Sequence, residues 1–138
     1  MEALRVWPQA DMTKRVTERL QFLGFVPEDT DLPVLEALIN SSIRRILAET
    51  GCSSLPEALE EVAVNTAAGE FLFYKKAAGL LEGFDAEAAV KQIQEGDTSV
   101  TFALGAGSAT QEERLDALIR YLTRTQQGLM AAWRRMRW

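Results

Sequence analysis

The chain has 138 residues, of which 47% are hydrophobic, and it carries a formal net charge of −5 at pH 7. A chain of this length can bury one sizeable core, so we expect a single domain over residues 1–138. The absence of histidine and the presence of a single cysteine exclude a Ser-His-Asp triad, an internal disulfide and the usual zinc sites. No apolar run reaches the roughly 20 residues that a membrane span needs, and the first residues do not match a secretory signal peptide.

Two helices are predicted in the first third of the chain. Apolar residues with helical spacing predict a first helix over about residues 11–23, which stops at Gly24. Asp31 is a typical N-cap, and a strong helical period after it predicts a second helix over about residues 33–50. Gly51 marks the end of that helix.

A long third helix is predicted over about residues 56–81. It starts at a capping box, whose spacing is that of Ser54 and Glu57. Gly69 and Gly79 each cost about 1 kcal/mol relative to alanine, unless a neighbouring element packs closely against the bare backbone. The aromatic residues of this helix are expected in the core: Phe71, Phe73 and Tyr74.

A last helix is predicted over about residues 110–135, beginning at a second capping box formed by Thr110 and Glu113. Apolar residues supply one face of this helix, interrupted by a polar stretch at residues 125–128. The expected fold class is therefore all-α, a small bundle of about four helices.

An extended or β-hairpin segment is predicted over residues 90–104, inserted before the last helix. Its side chains alternate in the manner of a half-buried strand, with Ile93, Val100 and Phe102 as the apolar anchors. Gly96 is suited to a turn. Because an isolated two-stranded ribbon is marginal in water, the segment either folds on itself against a helix or pairs with another chain.

Charge is distributed unevenly along the chain. Residues 28–95 contain thirteen acidic against five basic residues. This acidic middle argues against ordinary DNA binding, since lysine and arginine supply most of the non-specific affinity for phosphate. The only dense basic cluster lies at the C-terminus, in Arg134, Arg135 and Arg137.

Residues 90–102 resemble a segment of the head-tail connector (adaptor) proteins of long-tailed double-stranded DNA bacteriophages. The most specific part is Glu95-Gly96-Asp97-Thr98-Ser99. The likeness extends to the order of parts over nearly the whole chain, through the predicted helices to the Arg-rich end that closes on Trp138. The first ten residues and the loop at 105–109 depart from the pattern.

The resemblance implies a structural protein of the virion neck, present in the host cytoplasm before assembly, and no enzyme. Such a protein forms a ring, commonly a dodecamer, beneath the portal protein, joins head to tail and contacts the next neck or tail-completion protein. DNA passes through the lumen without specific binding, and no membrane, metal or cofactor is involved. Four residues are expected at the contact between copies: Ile93, Gly96, Val100 and Phe102. Four others are expected to contact the portal or neck: Arg134, Arg135, Arg137 and Trp138.

Two other functions compete with this interpretation. A small helical DNA-binding packaging or regulatory factor would use Arg44, Arg45 and the distal arginines. The acidic residues around them argue against this function. An enzyme would have to depend on carboxylates alone, without a nucleophile paired to a base. The candidate carboxylates are Glu57, Glu60, Glu61, Asp97, Glu112, Glu113 and Asp116. Each has an ordinary structural explanation, so we expect no catalytic residue.

Overall fold

The computed structural model describes residues 9–96, 110–124 and 127–136, and the regular secondary structure in those ranges is helical. The helices are α1 (Gln9–Phe22), α2 (Leu32–Thr50), α3 (Glu60–Ala77), α4 (Ala86–Gly96), α5 (Gln111–Arg124) and α6 (Gln127–Met136). Two 3₁₀ turns, Asp29–Asp31 and Glu57–Leu59, precede α2 and α3. The all-α class is confirmed, and the described helices differ from the predicted set in number and bounds.

Helix α3 lies at the centre of the fold, because it packs against α1, α2 and α5. Its first three turns are buried on nearly every side, and most of the side chains there are small or β-branched. Gly69 lies where α5 crosses: a Cβ added to it would sit 2.7 Å from Thr123 Cγ2 and 2.9 Å from Leu122 Cβ. Gly69 therefore permits the close approach of α3 and α5. Such close packing against the bare backbone is the condition expected from the sequence for a glycine inside this helix.

The first two helices agree with their predicted positions. Helix α1 buries one apolar stripe and is followed by Gly24 with φ of 101°. Helix α2 ends at Gly51, which has φ of 75° and donates its N–H to the Leu47 carbonyl. Both glycines occupy the left-handed region, where a side chain would be strained.

The third helix is shorter than predicted. Its first turn is the 3₁₀ segment Glu57–Leu59, whose N-cap residue is Pro56 rather than Ser54. The α-helix ends at Ala77, and Gly79 with φ of 73° turns the chain away. A glycine in the left-handed region stops a helix, so the predicted continuation to residue 81 is wrong.

The strand prediction for residues 90–96 is wrong, because these residues belong to α4. The reason lies upstream of the segment: Ala86, Ala89, Val90 and Ile93 have helical spacing and are all buried. Asp85 caps the helix by accepting a hydrogen bond from Ala88 N–H at 3.0 Å. Gly96 is the last helical residue rather than a turn, and the rest of the predicted hairpin, residues 97–104, lies outside the described residues.

The predicted last helix is described as two helices, on either side of residues 125–126, which lie outside the described residues. Its capping box is confirmed, since Thr110 N–H donates to Glu113 Oε1 at 2.8 Å and Glu113 N–H donates to Thr110 Oγ1 at 3.1 Å. Helix α5 ends at Arg124 and α6 begins at Gln127. Helix α5 packs on α3 and α4, whereas α6 packs on α2. Among the described helices, none combines the length and the apolar character needed to cross a bilayer.

Candidate interaction surfaces

Two of the four residues expected at the contact between copies, Ile93 and Gly96, belong to the described part of the chain. Ile93 is only 6% exposed and packs in the core of its own chain. Gly96 is exposed at the end of α4. Val100 and Phe102 lie outside the described residues. Ile93 thus contributes to the core of its own chain, and the contact between copies through these four residues stays a prediction.

The basic C-terminal cluster lies on and beyond α6. Arg134 is exposed on this helix. Arg135 also belongs to α6, though its side chain is outside the description, and Arg137 and Trp138 lie outside the described residues. The neighbouring Trp133 is partly buried against the core, so α6 presents an arginine next to its anchoring face.

The candidate carboxylates of the enzyme interpretation mostly have structural partners. Glu60 accepts a hydrogen bond from Arg15 at 2.6 Å, and Glu61 accepts one from Arg19 at 3.2 Å. Glu113 belongs to the capping box. Within the described ranges, no group of three or more histidine, cysteine, aspartate or glutamate side chains is arranged to hold a metal ion.

Two exposed aromatic residues overturn the expectation that the α3 aromatics all lie in the core. Phe71 is fully buried, but Phe73 is 59% exposed and Tyr74 is 44% exposed. Successive helical residues turn by about 100°, so Phe73 lies about 200° from Phe71. The spacing in the sequence contains this signal, because Phe71 and Phe73 cannot share one face of a helix.

Phe73 lies in a groove of about 460 Å³ between α2, α3 and α5. We call this the arginine groove. It is lined by Arg45, Glu70, Phe73, Asp116, Ile119, Arg120, Thr123 and Arg124. Arg120 and Arg124 are one helical turn apart and both are exposed. The groove thus combines an exposed aromatic ring with cationic side chains.

Both carboxylates of the arginine groove are already neutralised. Arg45 bonds Glu70 at 2.7 Å, and Lys76 bonds Asp116 at 2.5 Å. The hydrogen bond to Asp116 raises the pKa of Lys76 above its ordinary value. Among the described residues, no carboxylate pairs with Arg120 or Arg124. These two guanidinium groups are available to an anionic partner.

A second surface is the acidic turn, which we define as residues 26–32. Glu28, Asp29 and Thr30 are exposed at its tip. They are flanked by two exposed apolar side chains, Val26 at 69% and Leu32 at 37%. Over the described part of the chain, Glu28 and Asp29 have no cationic partner. The turn therefore presents two carboxylates beside apolar surface that no cation in the described ranges neutralises, and the Glu28 carboxylate also accepts a hydrogen bond from the Asp31 N–H.

Asp31 holds the acidic turn rigidly against α3. Its buried carboxylate accepts a hydrogen bond from Glu28 N–H at 2.9 Å and pairs with Lys75 at 2.7 Å. Burial alone would raise the pKa of Asp31, but the Glu28 N–H and Lys75 outweigh it and hold the pKa below its ordinary value. Phe25, immediately before the turn, packs edge-on against Phe71 with ring centroids 5.5 Å apart.

The arginine groove and the acidic turn lie on opposite sides of α3. Phe73 faces the groove, whereas Lys75 holds the turn. Two helical positions correspond to a rotation of about 200°, so the two side chains leave α3 in nearly opposite directions. One copy of the chain therefore presents both surfaces at once.

Comparisons with known proteins do not supply a relative for this fold. No protein-family model, no curated protein and no solved structure matches the chain.

Proposed function

We propose that this protein is a structural component of a phage or prophage neck, which forms a ring beneath the portal and joins head to tail. The observation that carries the proposal is the pair of unlike surfaces on opposite sides of α3. A closed ring requires a heterologous contact, in which one surface of a copy meets a different surface of the next. The sequence resemblance over residues 90–102 supports the same function.

The charge of the chain suits a ring through which DNA passes. The net charge is −5, and a lumen lined by carboxylates would repel the phosphate backbone. A strongly basic lumen would instead retain DNA by releasing its counterions. Val100 and Phe102, the apolar anchors that the sequence pattern predicts, are proposed as further contacts between copies.

The mass of the assembly tests this function. The purified chain is measured alone and with the portal protein encoded in the same genome, by native mass spectrometry and sedimentation. We expect a stoichiometric complex in which several copies of the chain bind each portal ring. A chain that stays apart from the portal over the full range of concentration and salt would contradict the proposal.

The basic end of α6 is proposed to contact the portal or the next neck protein. Charged contacts of this kind chiefly fix orientation and increase the rate of association, and they weaken as salt rises. Deleting residues 134–138 should weaken docking to the portal and flatten its salt dependence. Lys14→Ala, an exposed lysine on α1, is the control. Unchanged docking of the deletion variant across a salt series would reject this contact.

A helical DNA-binding factor is the second candidate, because Arg120 and Arg124 are exposed and unpaired among the described residues. A groove for DNA would make the affinity for duplex fall steeply with salt. A mobility-shift series with duplex DNA separates the two functions. Tight, salt-dependent binding by the chain alone favours the DNA-binding factor, and its absence favours the neck protein.

A further inference from the structure

We propose that the acidic turn of one copy docks in the arginine groove of the next copy. This inference rests on the proposed ring, because it names the two surfaces through which neighbouring copies meet. The partner is therefore a second copy of this chain, and the contact is heterologous.

Charge complementarity is the first argument. The groove offers Arg120 and Arg124, whose guanidinium groups have no carboxylate partner among the described residues. The turn offers Glu28 and Asp29, which lack a cationic partner over the same ranges. Docking would place two cations opposite two anions and allow bidentate hydrogen bonds, the geometry that arginine and carboxylate favour.

Apolar complementarity is the second argument. Phe73 is 59% exposed in the groove. Val26 and Leu32 flank the carboxylates of the turn and are also exposed. A contact that pairs the charges would bring this aromatic ring near aliphatic side chains, so that each copy covers the apolar surface of its neighbour. The groove, of about 460 Å³, offers a concave site to the exposed tip of the turn.

The arrangement of the surfaces is the third argument. Because they leave α3 in nearly opposite directions, docking at one surface leaves the other free for a third copy. Contacts of this type propagate and close into a ring when the rotation between copies permits it. A self-complementary patch would instead stop at a dimer.

Both surfaces are organised before they meet. The Asp31–Lys75 ion pair and the Phe25–Phe71 contact hold the turn. The Arg45–Glu70 and Lys76–Asp116 pairs span the helices that form the groove. Rigid partners lose less conformational entropy on association, so the contact need not order a flexible loop.

Paired charge reversals test this interface. One variant carries Arg120→Glu and Arg124→Glu, and the other carries Glu28→Arg and Asp29→Arg. Each variant alone places like charges opposite each other at every contact, so self-association measured by sedimentation should weaken about 100-fold. An equal mixture restores attraction, because the reversed groove of one variant meets the reversed turn of the other. Recovery in the mixture is the result expected only if these two surfaces face each other.

The control carries Lys14→Glu and Lys91→Glu, which change the net charge as the groove variant does, at exposed positions on α1 and α4. It should associate as the wild type does. Thermal melts of all variants establish that they fold. A groove variant that associates like the control, or a mixture no better than its components, would overturn the interface.

Titration of the same samples onto the portal protein separates this inference from the proposed function. Three results together support both the interface and the proposed function. The wild-type chain fills the portal cooperatively, each variant alone loses this cooperativity, and the mixture of the two variants recovers it. Wild-type chain that binds the portal without cooperativity, or variants that fill it as the wild type does, overturns the interface alone. Wild-type chain that neither self-associates nor binds the portal overturns the function itself.

Discussion

Replacing Gly69 with alanine tests how closely α3 and α5 approach. The added Cβ would lie 2.7 Å from Thr123 Cγ2 and 2.9 Å from Leu122 Cβ. Leu122 Cβ is fixed to the α5 backbone, so it moves only if the helix moves. Thr123 is held as well, because its hydroxyl donates to the Ile119 carbonyl at 2.8 Å.

The expected cost follows from two opposing effects. Alanine favours a helix interior over glycine by about 1 kcal/mol. Overpacking a tight core costs about 3 kcal/mol at the upper end of its range, and two contacts shorter than 3.0 Å place Gly69 there. The free energy of unfolding should therefore fall by about 2 kcal/mol, which corresponds to a melting temperature about 8 °C lower for a chain of this size.

Urea and thermal unfolding at one fixed protein concentration measure the effect, since self-association would shift the apparent stability. Gly96→Ala is the matched control, because Gly96 is helical and an added Cβ meets no heavy atom within 4 Å. That substitution should leave stability unchanged or raise it by up to about 1 kcal/mol.

A second substitution checks the cause of the loss. Thr123→Ser removes Cγ2 but keeps the hydroxyl that bonds Ile119, so in the Gly69→Ala background it should recover about 1 kcal/mol. A Gly69→Ala chain as stable as the wild type would refute the reasoning, since it would mean that α3 and α5 have room for a methyl group. If Thr123→Ser does not relieve the loss of stability, that loss comes from the contact with Leu122 Cβ.

Three further predictions concern the core, a cap and a buried ion pair. Phe71→Ala should lower the free energy of unfolding by about 4 kcal/mol in urea titrations, whereas Phe73→Ala, at an exposed position, should change it by less than about 0.5 kcal/mol. Thr110→Ala removes one half of the α5 capping box and should cost about 1 kcal/mol in the same assay, and no loss would show that the cap is unimportant. Asp31→Asn should cost about 3 kcal/mol at pH 7, because it leaves Lys75 buried beside a neutral group. Folding lowers the pKa of Asp31, so the contribution of this carboxylate to stability is present above the unfolded pKa of about 3.9. That contribution is lost as the pH falls through the folded pKa. The wild type should therefore lose more stability on acidification than Asp31→Asn does.

The helices whose ends carry backbone signals are predictable from the sequence. Gly24 and Gly51 stop α1 and α2 because the chain needs a left-handed residue there. Thr110 and Glu113 start α5 because their side chains satisfy free N–H groups. These are local effects, which the neighbouring residues alone determine.

The strand prediction for residues 90–96 is wrong because it depends on too short a stretch of sequence. The apolar residues alternate only from Val100 to Leu104. Val90 and Ile93 lie three residues apart, so they continue the helical period that Ala86 and Ala89 begin. Alanine contributes little to a hydrophobic pattern, yet both alanines are buried in α4, which packs on α5.

The two interaction surfaces depend on tertiary structure and were not predicted. The sequence contains the exposed arginines and the acidic residues, but it does not show which charges have partners. Glu70 and Asp116 are neutralised by Arg45 and Lys76, residues distant in sequence. The structure has to show which charges are paired before Arg120 and the carboxylates of the acidic turn can be identified as lacking a partner of opposite charge among the described residues.

The contrast between α3 and α6 has a consequence for how the molecule opens. None of the described side chains of α6 is fully buried, and a helix of 10 residues is too short to persist alone in water. Its amide protons should exchange with solvent through local opening, whereas those in the first turns of α3 exchange only when the whole fold unfolds. The order of α6, which bears Arg134, therefore depends strongly on its contacts with the rest of the fold. A large partner that binds at this helix should slow the exchange of the α6 amide protons first.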